Sequence, residues 1–140
     1  MIPQPYETMS PIALMYLCDW REAEGEKGLV GKIGVAWSIL NRADHPGWWG
    51  HDIQSVILAP YQYSSFNKGS IREKEWPEDD QPAFIECKVC CDGVYARATP
   101  DPTDGAQFYH DISIPTPVPW IRAGYILTLE VGRFRFFREP

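Results

Sequence analysis

Between Trp20 and Arg42 the chain runs Trp20-Arg-Glu-Ala-Glu-Gly-Glu26 and then, almost at once, into an apolar stretch ending Val35-Ala-Trp-Ser-Ile-Leu-Asn-Arg42. This pattern constrains the fold more than any other. One helix has to finish near Gly25 and a second has to start just beyond it, so the two must pack around a short connection. Three carboxylates, Glu22, Glu24 and Glu26, fall within five residues at that connection, beside Trp20. Like charges one turn apart repel, and a carboxylate beside apolar surface resists ionising, so such crowding is costly where it serves no purpose.

The flanking sequence supplies further elements. Ser10-Pro11 is a helix start, with Ser able to cap free amides and Pro losing no hydrogen bond at the first helical position. The first helix is expected from Pro11 to Glu22 or Glu24, with Gly25 as its stop. The second spans Lys27 to Arg42, where Leu29, Ile33, Trp37 and Leu40 recur as one apolar stripe and Gly31 and Gly34 allow another backbone to approach. Asp44 to Gly50 reads as a loop, Asp52 to Leu58 as a short helix ended by Pro60, and Tyr61 to Asp80 as a long polar loop. Pro82 opens a helix to Ala98 with Phe84, Cys87, Cys91, Val94 and Ala98 on one face. Beyond it, Ala106 to His110 is a strand, and Ile112 to Pro119 is a Pro-punctuated loop. Tyr125–Val131 and Phe134–Phe137 form a hairpin about Gly132-Arg133, with a type II′ turn. Four helices and a small antiparallel sheet near the C-terminus define an α+β class, and 1–140 reads as a single domain.

A formal net charge of -6 argues against nucleic acid as a partner, because a phosphate backbone is met by a basic face. The charge is uneven: Glu73 to Asp80 is acidic, whereas Arg122, Arg133, Arg135 and Arg138 make the C-terminal part basic. The apolar run Ile12 to Leu17 is too short to span a bilayer and no signal peptide is visible, so no stable membrane insertion and synthesis in a cytoplasm are expected. Cys18, Cys87, Cys90 and Cys91 suit a reducing compartment and lack a second ligand pair for zinc, so they are expected as buried thiols with no metal. Six Trp and seven Tyr exceed the needs of a small core and suit a cleft whose flat rings cover sugar faces.

Glu22 is the leading candidate for chemistry. A glutamate at the C-terminal end of a buried helix meets partial negative charge, and Glu24 and Glu26 nearby also favour its neutral acid form. A neutral carboxyl is what a glycosidic oxygen requires of a general acid.

The same residues carry a resemblance. Arg21-Glu-Ala-Glu-Gly-Glu26 followed by Gly34-Val-Ala-Trp-Ser-Ile-Leu-Asn-Arg42 resembles the signature of the SleB/CwlJ-type cell-wall hydrolases. In that family a Gly-Glu-Ala-Arg-Gly-Glu-like motif precedes a helix ending in Ile-Leu-Asn-Arg. Arg21 and Glu24 stand where the family has Gly and Arg. Tyr61-Gln-Tyr-Ser-Ser-Phe-Asn67 is similar to the family's Gln-Phe-Ser run at Gln62, Tyr63 and Ser64. Asp101-Pro-Thr-Asp-Gly-Ala-Gln-Phe-Tyr-His110 is similar to its Pro-Thr-x-Gly-Ala turn and following strand, at Thr103, Gly105, Ala106, Tyr109 and His110. Pro119-Trp120 matches a later Pro-Trp, and Gly132-Arg-Phe-Arg-Phe136 matches a Gly-x-His-x-Phe mark with Phe134 in place of His. The resemblance runs from about Leu14 to Phe137.

It implies a lysozyme-like fold and a catalytic acid at Glu22, with Gln62, Tyr63, Ser64, Tyr109, His110 and Trp120 binding substrate and no cofactor. It also implies peptidoglycan glycan strands as the partner of a monomeric lytic transglycosylase. In such an enzyme one Glu acts as acid and then base while the muramyl C6 hydroxyl closes on C1. The setting expected is that of a phage endolysin reaching the wall after release from the host cytoplasm. Alternative readings are a hydrolytic muramidase using Asp104 or Asp111 as second acid, a cysteine amidase or peptidase built on Cys18 and His110, and a non-catalytic glycan-binding or virion module.

Overall fold

Helix α2 (Leu29–Asp44) is the axis on which the other elements are laid in this computed structural model, which describes residues 1–140. Every residue from Gly34 to Arg42 is buried. The expected apolar stripe is therefore only part of the picture: Leu29 is exposed, and the second half of α2 is enclosed on all sides, as a central helix is. It packs against α1 (Pro11–Ala23), α3 (Ile53–Leu58) and α4 (Pro82–Tyr95). Leu14, Leu17, Cys18, Ile39, Val56, Phe84, Cys87 and Cys91 meet in the core between them. All four cysteines are buried free thiols.

Local chemistry sets the boundaries. Ser10 accepts a hydrogen bond from the Ala13 N–H at the start of α1, next to Pro11. The far end differs from expectation. Gly25 does not adopt the left-handed conformation of a glycine stop; Glu24 stays helical and the Glu26 N–H returns to the Ala23 carbonyl at 3.0 Å. Helix α2 starts two residues later than expected and runs two residues further. Helix α3 carries a reciprocal Asp52–Ser55 capping box. Helix α4 stops at Tyr95 rather than Ala98 because Arg97 turns left-handed, φ 58°, letting the Ala98 N–H cap the Gly93 carbonyl. A bidentate ion pair from Arg97 to Asp44, at the end of α2, holds that cap.

Strands β1 (Phe108–Asp111), β2 (Ile126–Val131) and β3 (Phe134–Arg138) form an antiparallel sheet in the order β1-β3-β2. The II′ turn is present in its φ signs, with Gly132 at 54° and Arg133 not left-handed. Between β1 and β2 lies α5 (Val118–Ala123), which the Pro-rich sequence hid; Gly124, φ 73°, closes it. Five helices, rather than four, thus accompany the sheet. No helix is long and apolar enough to cross a membrane.

Two contacts fix the sheet against the helices. Asn41 of α2 donates to Asp101 Oδ2 and to the Ala106 carbonyl, both at 2.9 Å, while Asp101 gathers the Thr103 and Gly105 amides into the turn that leads to β1. Gly34 makes room for β3, but for a side chain and not for the expected backbone: a Cβ there would lie 2.6 Å from Phe136 Cζ.

The loop between α3 and α4 is ordered by two 3-10 turns, Ser64–Phe66 and Ile71–Lys74, and by one buried side chain from α1. Arg21 donates to the carbonyls of Ser65, Glu73 and Glu75 and to the Tyr6 hydroxyl, and its guanidinium is caged by the rings of Tyr6, Phe66 and Trp76. Arg72 from the loop returns the contact, pairing with Glu24 at 2.7 Å and lying over Trp20.

Gly34→Ala tests the helix–sheet contact. Alanine raises helix propensity by roughly 1 kcal/mol, yet overpacking against a rigid, fully buried ring costs about 1–3 kcal/mol. Urea denaturation is expected to show a net loss of stability; a gain would mean that Phe136 moves aside freely.

Candidate active site

A cleft of about 350 Å³ opens where the last turns of α1 and α2, the Gln62–Ser64 loop and β1 converge. Glu22, Arg42, Gln62, Tyr63, Ser64, Tyr109, His110 and Asp111 line it, with Ile114 and Phe134 as apolar wall. A hollow of similar size near Gly25–Gly31 and Gly132 offers a single acid, Glu26, whose carboxylate already accepts the Arg133 N–H at 3.2 Å. No group of His, Cys, Asp and Glu converges to hold a metal ion.

Glu22 is half-buried in the last turn of α1, and its Oε1 accepts a hydrogen bond from the Tyr109 hydroxyl at 2.6 Å. It forms no ion pair. The like-charged cluster suggested by the sequence is not assembled, because Glu24 turns to Arg72 and Glu26 to the β-hairpin turn. Tyr109 is held edge-on against Phe134 at 5.1 Å between ring centroids. Burial, then the Glu22 charge, pushes the Tyr109 hydroxyl well above the ordinary phenol range, which keeps it a donor.

The other expected site residues divide. Ser64 is exposed at the rim, and Gln62 presents its amide after accepting from Arg42 Nη1 at 3.3 Å. Tyr63 contributes wall only: it is buried, its hydroxyl is engaged with Ser38 Oγ at 3.0 Å, and burial raises its pKa far above 10. His110 lines the cleft with both nitrogens occupied. Nδ1 donates to the Asp111 carbonyl at 2.8 Å and Nε2 is hydrogen-bonded with Thr116 Oγ1 at 3.1 Å, so neither is free for a sugar. Trp120 does not reach the cleft; it packs on Phe137, Phe108 and His110.

The candidate second acids are also placed. Asp111 lies in the cleft, but Arg133 binds both its oxygens at 3.1 Å and the Ser113 N–H donates to it at 2.8 Å. These bonds, the Ser113 amide first, lower its pKa to about 2. Asp104 stands on an exposed left-handed turn outside the cleft. Cys18 is wholly enclosed in the core and burial raises its thiol pKa far above 9, so it has neither the access nor the thiolate a nucleophile needs. Three cleft residues went unassigned in the sequence: Arg42, read only as part of a motif, Ile114, read only as loop, and Phe134, read only as a departure from a motif.

The cleft between the helical layer and the β-hairpin thus holds two carboxyl groups, Glu22 with a phenol as its one side-chain partner and Asp111 bound up by Arg133 and Ser113. The profile of one family, Cell Wall Hydrolase, matches residues 26–137, and the chain belongs to that family. The match begins four residues past Glu22 and does not include it. The fold is similar to that of the catalytic domain of the SleB protein of Bacillus cereus, at 24% identity and a TM-score of 0.70, covering 98% of this chain and 95% of that one. It is also similar to the catalytic domain of the germination-specific lytic transglycosylase SleB from Bacillus anthracis, at 22% identity and a TM-score of 0.69, covering 98% and 100%. The α+β class holds, and the fold is that of these catalytic domains. No curated protein sequence matches the chain.

Tyr63 and Tyr109 report on the packing of the cleft. Stabilisation from their neutral forms is complete below the ordinary phenol pKa of about 10 and is lost as pH climbs towards their raised folded values. In a spectrophotometric titration both are expected to ionise only as the protein unfolds. Ionisation of all seven tyrosines near pH 10 with unchanged circular dichroism would contradict their burial.

Proposed function

We propose that this protein degrades peptidoglycan by cleaving the β-1,4 bond between N-acetylmuramic acid and N-acetylglucosamine as a lytic transglycosylase, with Glu22 as the sole acid–base group. The observation that carries this reading is the Tyr109–Glu22 hydrogen bond in a cleft whose other carboxylate, Asp111, is bound up by Arg133 and Ser113. Family membership and the fold shared with a lytic transglycosylase domain support it.

In the first step the Glu22 carboxyl gives its proton to the departing O4 as the bond from C1 breaks. Tyr109 holds Oε1, fixing which face of the carboxyl meets the sugar and stabilising the carboxylate that forms. In the second step that carboxylate takes the proton of the muramyl C6 hydroxyl as O6 bonds to C1. The net result is a 1,6-anhydro end with no water consumed and Glu22 reprotonated. An enzyme that added water from the far side would need a second free carboxylate across the bond, and none lines this cleft.

Glu22→Gln provides the test. The residue is half-buried without a counter-ion, so the amide is expected to leave the fold intact by circular dichroism. Loss of general acid–base catalysis costs about 100- to 10,000-fold, so soluble muropeptide release from purified sacculi is expected to fall at least ~100-fold. Unchanged release by the variant overturns the assignment. Sedimentation of the parent protein with sacculi and no release at all would favour the glycan-binding module.

A further inference from the structure

Arg42 is the feature of the cleft that the reaction above leaves unused. It lies in the last turn of α2, is 6% exposed, and forms no ion pair with any carboxylate. Its guanidinium lies between the rings of Tyr63 and Phe108, at 5.3 and 5.2 Å from their centroids. Nε donates to the Gln107 carbonyl at 2.5 Å and Nη1 to Gln62 Oε1 at 3.3 Å; Nη2 has no partner in the protein and is not sealed from solvent. Both partners are neutral. A buried cation among aromatic rings and amide oxygens, with a donor left over towards a cleft, lacks an anion.

We propose that Arg42 is a specificity-determining residue that binds the lactyl carboxyl group on C3 of the muramyl residue. This rests on the glycan-cleaving function proposed above. Along the glycan that group is the acidic ring substituent: a carboxylate where the stem peptide has been removed, and a neutral amide where the peptide remains. Chitin-type sugars lack it altogether. A guanidinium matches a carboxylate in charge and in fork geometry, and it is held in place here by two ring faces and two hydrogen bonds. The cleft is therefore selective for peptide-stripped strands over peptide-bearing ones.

Steady-state kinetics on peptide-stripped glycan strands, free or methyl-esterified at the lactyl group, tests this. For the parent protein, esterification is expected to raise KM about tenfold with kcat changed less than about threefold, the scale of one charge-assisted hydrogen bond. Arg42→Gln is expected to show the raised KM on both substrates and no response to esterification, with Arg42→Lys in between. A merely structural role for Arg42 would leave that response unchanged. Equal KM values for free and esterified strands with the parent protein overturn the proposal, and this arm stands even if the variants fail to fold. If no strand is cleaved, the proposed function fails, and calorimetric binding of free and esterified strands to the parent protein decides the role of Arg42 separately: tighter binding of the free strands supports it, and equal binding refutes it.

Discussion

The guanidinium of Arg21 holds this molecule in its working shape. It is buried, and no acid neutralises it; backbone carbonyls of Ser65, Glu73 and Glu75 and three aromatic rings accept it instead. Hydrogen bonds from a charged donor are worth about 1.5–3 kcal/mol each, so a loop with no periodic structure of its own becomes part of the wall of α1. Arg21 directly precedes Glu22, which ties the loop carrying Gln62 and Ser64 to the helix turn carrying the acid. The Arg72–Glu24 pair repeats the tether one turn on. Arg21 and Glu24 are the two positions at which the chain departs from the Gly-Glu-Ala-Arg-Gly-Glu-like motif that it resembles, and here both serve to anchor the loop.

The opposite wall is fixed by a different set of contacts. Asn41 docks the Asp101–Gly105 turn, the turn starts β1, and β1 presents Tyr109 to Glu22. Phe136 under Gly34 and Phe134 behind Tyr109 stop the sheet from sliding. Acid and phenol therefore meet from elements 87 residues apart because α2 anchors both sides. The chemistry proposed for the pair needs this rigidity, since a carboxyl must keep one orientation while it first gives up and then recovers a proton.

Much of this is legible in the sequence because it is local. The Ser10-Pro11 start, the short helix from Asp52, the Gly132 hairpin and the Glu22 motif each depend on a few consecutive residues. What escaped reading depends on distant partners. Leu29 obeys the helical stripe yet faces solvent, since the period of a helix does not say that its second half is surrounded. The short α5 hid behind three prolines, one of which, Pro119, sits inside the helix at a position where no hydrogen bond is lost. Trp120 and His110 are sugar contacts by resemblance; they pack against each other and against Phe137 instead, which only β3 could reveal. The crowding of Glu22, Glu24 and Glu26 was undone by Arg72 and by the Arg133 amide, neither of which is near in sequence.

The central claim is that one carboxyl serves both steps, so that the sugar's own hydroxyl and not a water molecule ends the reaction. Digestion of purified glycan strands in heavy-oxygen water, followed by mass spectrometry of the muramyl ends, addresses it directly. Ends lighter by one water and free of heavy oxygen are the result this account predicts. Muramyl reducing ends that carry heavy oxygen from the first turnovers would contradict it.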